Sequence, residues 1–156
     1  MPTTAYQTDF YAWTQEQATA LRRIAELRIN LPEVDLENVA EEIESMGRSD
    51  RLEINSRLEV LLEHLLKLAC SADTDPRSGW RRTVREQRRR ILDCLSDSPS
   101  LRTYPSSILE RSYHRAQENA ADDTSLGPLP VTCPWELDAQ ILAENWYPSA
   151  PPTTMT

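Results

Sequence analysis

The chain has 156 residues, enough for one domain with a sizeable core, although its apolar content of 39% is lean. Three glycines against eleven prolines, with long stretches of Leu, Glu, Arg and Ala, leave little material for hairpins or β-branched strands, so the expected class is all-α. A net charge of −8 repels phosphate backbones and anionic membrane surfaces at long range, and no apolar run is long enough to span a bilayer, so general binding to nucleic acid or membrane is disfavoured.

The start, MPTTAYQTDFYAW, lacks the basic head and unbroken apolar run of a signal peptide, so export is not expected and a cytoplasmic location is. Thr8 or Asp9 can cap a first helix running to about Arg28, with Phe10, Trp13, Leu21 and Ile24 on one stripe and Gln17 inside it. NLPEVD breaks that pattern. Asp35 can then cap a second helix to about Met46, whose apolar face is Leu36, Val39, Ala40, Ile43 and Met46, with Gly47 placed where a left-handed terminating residue is wanted. Ser49 can cap a third helix to about Cys70, and its arc of Ile54, Leu58, Leu61, Leu62, Leu65, Leu68 and Ala69 is wide enough to meet two or more neighbours.

CSADTDPRSG reads as a loop, and a fourth helix is expected from near Gly79 to about Leu95. SDSPS supplies a stop and a new start, with Ser98 as cap and Pro99 at the first helical position. Pro105 predicts a short turn, then a break or kink, then a helix from about Pro105 to Ala121. LGPLPVTCP is an extended linker, WELDAQILAEN a last short helix, and residues 148–156 a disordered tail. The expectation is a single compact bundle of five or six helices over residues 6–147, the second and fourth against the third, with Trp135 and Trp146 closing one end.

The segment GWRRTVREQRRRIL concentrates arginine in an acidic chain. At about 100° per residue, Trp80, Val84, Ile91 and Leu95 fall on one stripe, Arg81, Arg82, Arg85 and Arg89 lie opposite, and Arg88 sits at the border where its stem can cover apolar surface. The opposite face is either a solvated surface answering the acidic helices or a site for an anion or a protein partner. Nucleic acid is the weaker version, because no aromatic residue alternates with the arginines to stack bases.

Gln87 lies inside the apolar stripe, where an amide without partners costs about 1–3 kcal/mol. With Glu42 at the edge of the second helix and His64 beside Leu61 and Leu68, it suggests a polar layer or pocket formed by Glu41, Glu42, His64, Trp80, Gln87 and Arg88. A di-metal site needs Glu-x-x-His on each of two helices, but Leu61 and Arg111 stand three residues before His64 and His114, so no metal is assigned, and no cofactor.

Cys70, Cys94 and Cys133 are odd in number and widely spaced, which fits a reducing cytoplasm better than a disulfide framework or zinc motif. Cys70 and Cys94 fall near helix C-termini, where the dipole raises a thiol pKa, and Cys133 reads as a small buried apolar group. No G-x-S-x-G or phosphate-binding glycine loop is present.

TDFYAWTQEQATALR, DLENVAEEIESMGRSD, LLEHLLK, GWRRTVREQRRRIL followed by DSPSLR, and CPWELDAQIL, in that order from about Tyr6 to Tyr147, resemble the bacterial family called domain of unknown function 29, common in cyanobacteria. The resemblance implies an all-helical fold and a small bacterial protein, and carries no activity, ligand or catalytic residue. Asn38, Glu41, Glu42, His64, Trp80 and Gln87 lie in the segments that match most closely, whereas Pro105 and CSADTDPRSG depart from the pattern. The lack of catalytic spacing beside a strongly divided charge pattern favours first a non-enzymatic interaction protein that binds a protein partner or itself through the arginine face. The alternatives are an enzyme or ligand-binding protein using the polar pocket and, third, a nucleic-acid-associated protein.

Overall fold

The structure, a computed structural model, describes residues 5–27 and 31–151. In chain order it has α1 (Ala5–Thr8), α2 (Phe10–Glu26), α3 (Leu36–Cys70), α4 (Arg77–Asp97), a 3₁₀ turn (Pro99–Leu101), α5 (Tyr104–Ala121) and a π-helical turn (Leu137–Ile141). The fold is all-α; among the described residues the only extended pairing is one antiparallel bridge between Ser71 and Leu126. Arg28, the expected end of the first helix, Asn30 of NLPEVD and residues 152–156 of the expected tail lie outside the described residues.

Two compact units divide the chain. The first comprises the residues up to Glu53 together with Asp93–Thr103, and the second Ile54–Leu92 together with the residues from Tyr104 onward. In the first unit, Asp9 caps α2 by accepting a hydrogen bond from Ala12 N at 3.0 Å. The same carboxylate accepts from Ser100 N at 2.7 Å and Ser100 Oγ at 2.8 Å, while Ser98 Oγ accepts from Tyr11 N at 3.0 Å. The SDSPS stop-and-start therefore also serves as the anchor for the beginning of α2.

The expected break at Gly47 does not occur. One helix runs unbroken from Leu36 to Cys70, so the second and third expected helices are a single element. Gly47 is helical and buried, and a β-carbon on it would run into Thr14 Oγ1 and lie 3.2 Å from Gln15 Nε2 and 3.3 Å from Tyr11 Cδ2. Close approach of α2 to α3 explains this glycine; a left-handed cap does not. Thr14 is fully buried there and returns its hydroxyl to Tyr11 O at 2.6 Å.

In the second unit, Ile54, Leu58, Leu61, Leu62, Leu65, Leu66 and Leu68 of α3 are buried with Val84 and Ile91 of α4, and Ile108, Tyr113 and Ala116 of α5. Each fully buried Leu or Ile contributes roughly 1.5–3 kcal/mol relative to exposure. Pro105 is the second residue of α5, where its missing N–H would lack an intrahelical partner anyway, so the first turn accommodates the proline. Arg77 covers the free carbonyls at the end of α3, donating to Leu68 O at 2.8 Å and Ser71 O at 3.2 Å.

The segment after α5 is irregular and tied down by side chains. Tyr113 donates its hydroxyl to Pro130 O at 2.6 Å, and Gln117 Nε2 donates to the same oxygen at 2.9 Å. Where the sequence predicts a short helix, a five-residue π turn forms, and the carbonyls of Gln140, Ile141, Glu144 and Trp146 accept hydrogen bonds from Arg88. The Trp135 and Trp146 rings meet edge to face, 6.0 Å between centroids. Pro148, at the start of the expected tail, is buried.

Candidate functional site

Residues 80–95 keep one helical phase. Val84, Gln87, Ile91 and Leu95 are buried, Trp80 is half-buried, and Arg81, Arg82, Arg85 and Arg89 are exposed. Arg82, Arg85, Glu86, Arg89 and Arg90 line a shallow groove of about 340 Å³. Glu86 reaches Arg90 at 3.7 Å, while among the described residues Arg82, Arg85 and Arg89 have no carboxylate within ion-pair distance. Arg81 stands apart, its guanidinium 5.0 Å from the centroid of the Tyr147 ring. Arg90 and Tyr147 escape the sequence reading. Arg90 follows Glu86 at the i,i+4 spacing of an ion pair, but no pattern links Tyr147 to α4 across more than fifty residues.

Arg88 is not at a border. It is 2% exposed, and its guanidinium donates to four backbone carbonyls: Nε to Ile141 O at 2.7 Å, Nη2 to Trp146 O at 2.7 Å and Gln140 O at 3.2 Å, and Nη1 to Glu144 O at 3.4 Å. The Tyr147 ring lies 5.2 Å from it. Burial lowers the Arg88 pKa from its ordinary value, yet a guanidinium stays charged under any condition in which the protein folds. Arg88 therefore balances its charge with carbonyl dipoles and acts as a clamp on the C-terminal segment.

Of the remaining members of the suggested polar layer, Glu41, Gln87 and His64 have separate partners. Glu41 and Glu42 belong to the first unit, His64, Trp80, Gln87 and Arg88 to the second. Glu42 is exposed. Glu41 takes Arg48 at 2.6 Å and Arg22 at 3.4 Å, within a network where Glu44 also pairs with both arginines. Hydrogen bonding from Arg22 holds the Glu44 carboxyl below its ordinary range. Gln87, 7% exposed, accepts a long hydrogen bond from Arg57 at 3.4 Å.

His64 Nδ1 lies 2.9 Å from Val60 O, which requires the proton on Nδ1, and burial lowers its pKa below the ordinary value, so the ring is neutral near pH 7. Glu41, Gln87 and His64 each pair with groups outside the suggested layer. Among the described residues no three His, Cys, Asp or Glu side chains converge as a metal ion would need.

A second concave region lies in the first unit. Tyr6, Gln7, Phe10, Asp50, Cys94 and Asp97 line a cleft of about 400 Å³. The Tyr6 ring meets Phe10 and Trp13 edge to face at 6.2 Å and 4.8 Å, and Phe10 stacks on Trp13 at 5.8 Å. Burial first, then Glu53 and Asp97, pushes the Asp50 carboxyl up. Burial and the carboxylates of Glu53, Asp50, Asp97 and Asp93 push the Cys94 thiol up to about 11, which leaves little thiolate near neutral pH. Nothing in the sequence marks this cleft, because Asp50 and Asp97 come from helices far apart in the chain.

A comparison with curated proteins found no match. Among solved structures the chain is similar to an alpha-helical protein of unknown function from Rhodospirillum rubrum, at 26% identity and a TM-score of 0.73, over 94% of this chain and 93% of that one. The family model described as domain of unknown function DUF29 matches residues 5–147, and the chain belongs to that family.

Proposed function

We propose that this chain is a non-enzymatic interaction protein that docks an acidic protein surface through the exposed arginine face of α4. The observation that carries this reading is that Arg82, Arg85 and Arg89 share one groove and, among the described residues, have no carboxylate partner of their own. Guanidinium groups are weakly hydrated planar forks that pair with carboxylates two bonds at a time, and such charge-assisted bonds contribute about 1.5–3 kcal/mol when water is excluded. Gln87, His64 and Arg88 support the same reading, since each bonds to a partner within the fold.

Affinity capture from native host extract, with the wild type beside an Arg82→Glu/Arg85→Glu/Arg89→Glu variant, tests the proposal. The expected result is a protein retained by the wild type at low salt, released as salt shortens the screening length, and not retained by the variant. A wild type that retains nothing, or a variant that retains the same protein, removes the proposal. A salt-dependent shift of duplex DNA lost in the same variant would move the reading to nucleic acid.

A further inference from the structure

The charge of this chain is unevenly distributed. The first unit holds thirteen acidic and six basic side chains, the second twelve and eleven, so nearly all of the net charge of −8 belongs to the first. The cleft described above opens within that acidic unit. It combines two aromatic rings, Tyr6 and Phe10, with two carboxylates, Asp50 and Asp97, that make no ion pair among the described residues. Aromatic faces beside unpaired carboxylates suit a guanidinium, which stacks on the ring and donates to the acid at once. The molecule already stacks guanidinium on tyrosine, with Arg81 over Tyr147 at 5.0 Å and Arg51 over Tyr11 at 5.9 Å. Burial is the first cause of the raised Asp50 carboxyl and Cys94 thiol, and the neighbouring carboxylates of Glu53 and Asp97 add to both shifts, so acidic groups crowd this part of the first unit.

We infer that the acidic partner of the α4 arginine face is a second copy of this chain, which receives those arginines in the aromatic and acidic cleft of its first unit. This rests on the face being a docking surface and adds the surface that meets it. Two copies of charge −8 repel at long range, but at 0.15 M salt the field decays over about 8 Å, whereas arginine and cleft interact at contact distance. The second unit, which carries the arginines, is close to neutral and meets little of that repulsion. The contact is heterologous, face against cleft, so each added chain leaves one of each surface open and assembly grows with concentration unless a ring closes.

Sedimentation equilibrium of the full chain tests this. The wild-type mass is expected to rise above 17.9 kDa with concentration at about 0.15 M salt and to fall back to it near 1 M, where the screening length is about 3 Å. An Arg82→Glu/Arg85→Glu/Arg89→Glu variant and an Asp50→Lys/Asp97→Lys variant are each expected to stay at 17.9 kDa alone. Their equimolar mixture holds one intact cleft and one intact arginine face, and is expected to recover a mass of at least twice that.

A wild type that stays monomeric, a cleft variant that still self-associates, or a mixture of folded variants that stays monomeric overturns the inference. Should a multiple reversal unfold by circular dichroism, Arg85→Glu and Asp97→Lys carry the same logic singly. A monomeric wild type that nonetheless captures another acidic protein through its arginines removes the second copy and leaves the docking face standing. Loss of both removes both.

Discussion

Replacing Arg88 by Met keeps much of the stem and deletes the fork. Four carbonyls between Gln140 and Trp146 then lose their donor, two of them held at 2.7 Å and therefore well-formed charge-assisted bonds. At about 1.5–3 kcal/mol for each of the two short bonds, less the desolvation that a neutral side chain no longer suffers, the net loss should be about 3 kcal/mol. That is the scale seen when one partner of a buried charged pair is removed. For a domain of this size it corresponds to a fall in Tm of roughly 6–12 °C.

The loss should be concentrated in the C-terminal segment. Amide exchange over residues 137–147 is expected to lose protection before α3 or α5, and tryptophan fluorescence should shift red as the edge-to-face pair of Trp135 and Trp146 separates. Arg88→Lys should recover less than half of the stability, because an ammonium is a point charge and cannot span carbonyls arranged around a planar fork. Urea unfolding of both variants supplies the check. An Arg88→Met protein within about 0.5 kcal/mol of wild type, with unchanged exchange in residues 137–147, would refute the clamp.

Gly47→Ala should destabilise by about 1–3 kcal/mol despite the better helix propensity of alanine, because the new methyl meets Thr14 Oγ1; the loss should shrink in a Thr14→Ala background, and a thermal double-mutant cycle measures the coupling. Asp50 has a folded pKa raised above its ordinary value of 3.8, so ionising it opposes folding: the penalty is absent below that value and complete once pH passes the folded pKa. Asp50→Asn should thus be more stable than wild type at pH 7 and equal to it near pH 3.5, as read by urea midpoints at the two pH values. The Cys94 thiol, pushed from 9.0 to about 11, should alkylate at pH 8 roughly a hundredfold more slowly than an ordinary cysteine, with the rate climbing tenfold per pH unit; fast labelling at pH 8 by mass spectrometry would contradict its burial among carboxylates.

Composition and periodicity determined the helical class, the phase of α4 and a helix start capped at Thr8 or Asp9, of which the structure uses Asp9, because each follows from local rules: the apolar repeat and the short polar side chain at a helix start. The outward arginines Arg81, Arg82, Arg85 and Arg89 were legible for the same reason. Tertiary structure alone decided the rest. Gly47 has the same local signature whether it ends a helix or admits a neighbour, and only the position of Thr14 on α2 makes it the second. Arg88 looks like a border residue on a helical wheel, which contains no information about carbonyls fifty residues away that enclose it. The cleft formed by Tyr6, Phe10, Asp50 and Asp97 is likewise assembled from separate helices, and periodicity within one helix says nothing about which side chains another brings to meet it.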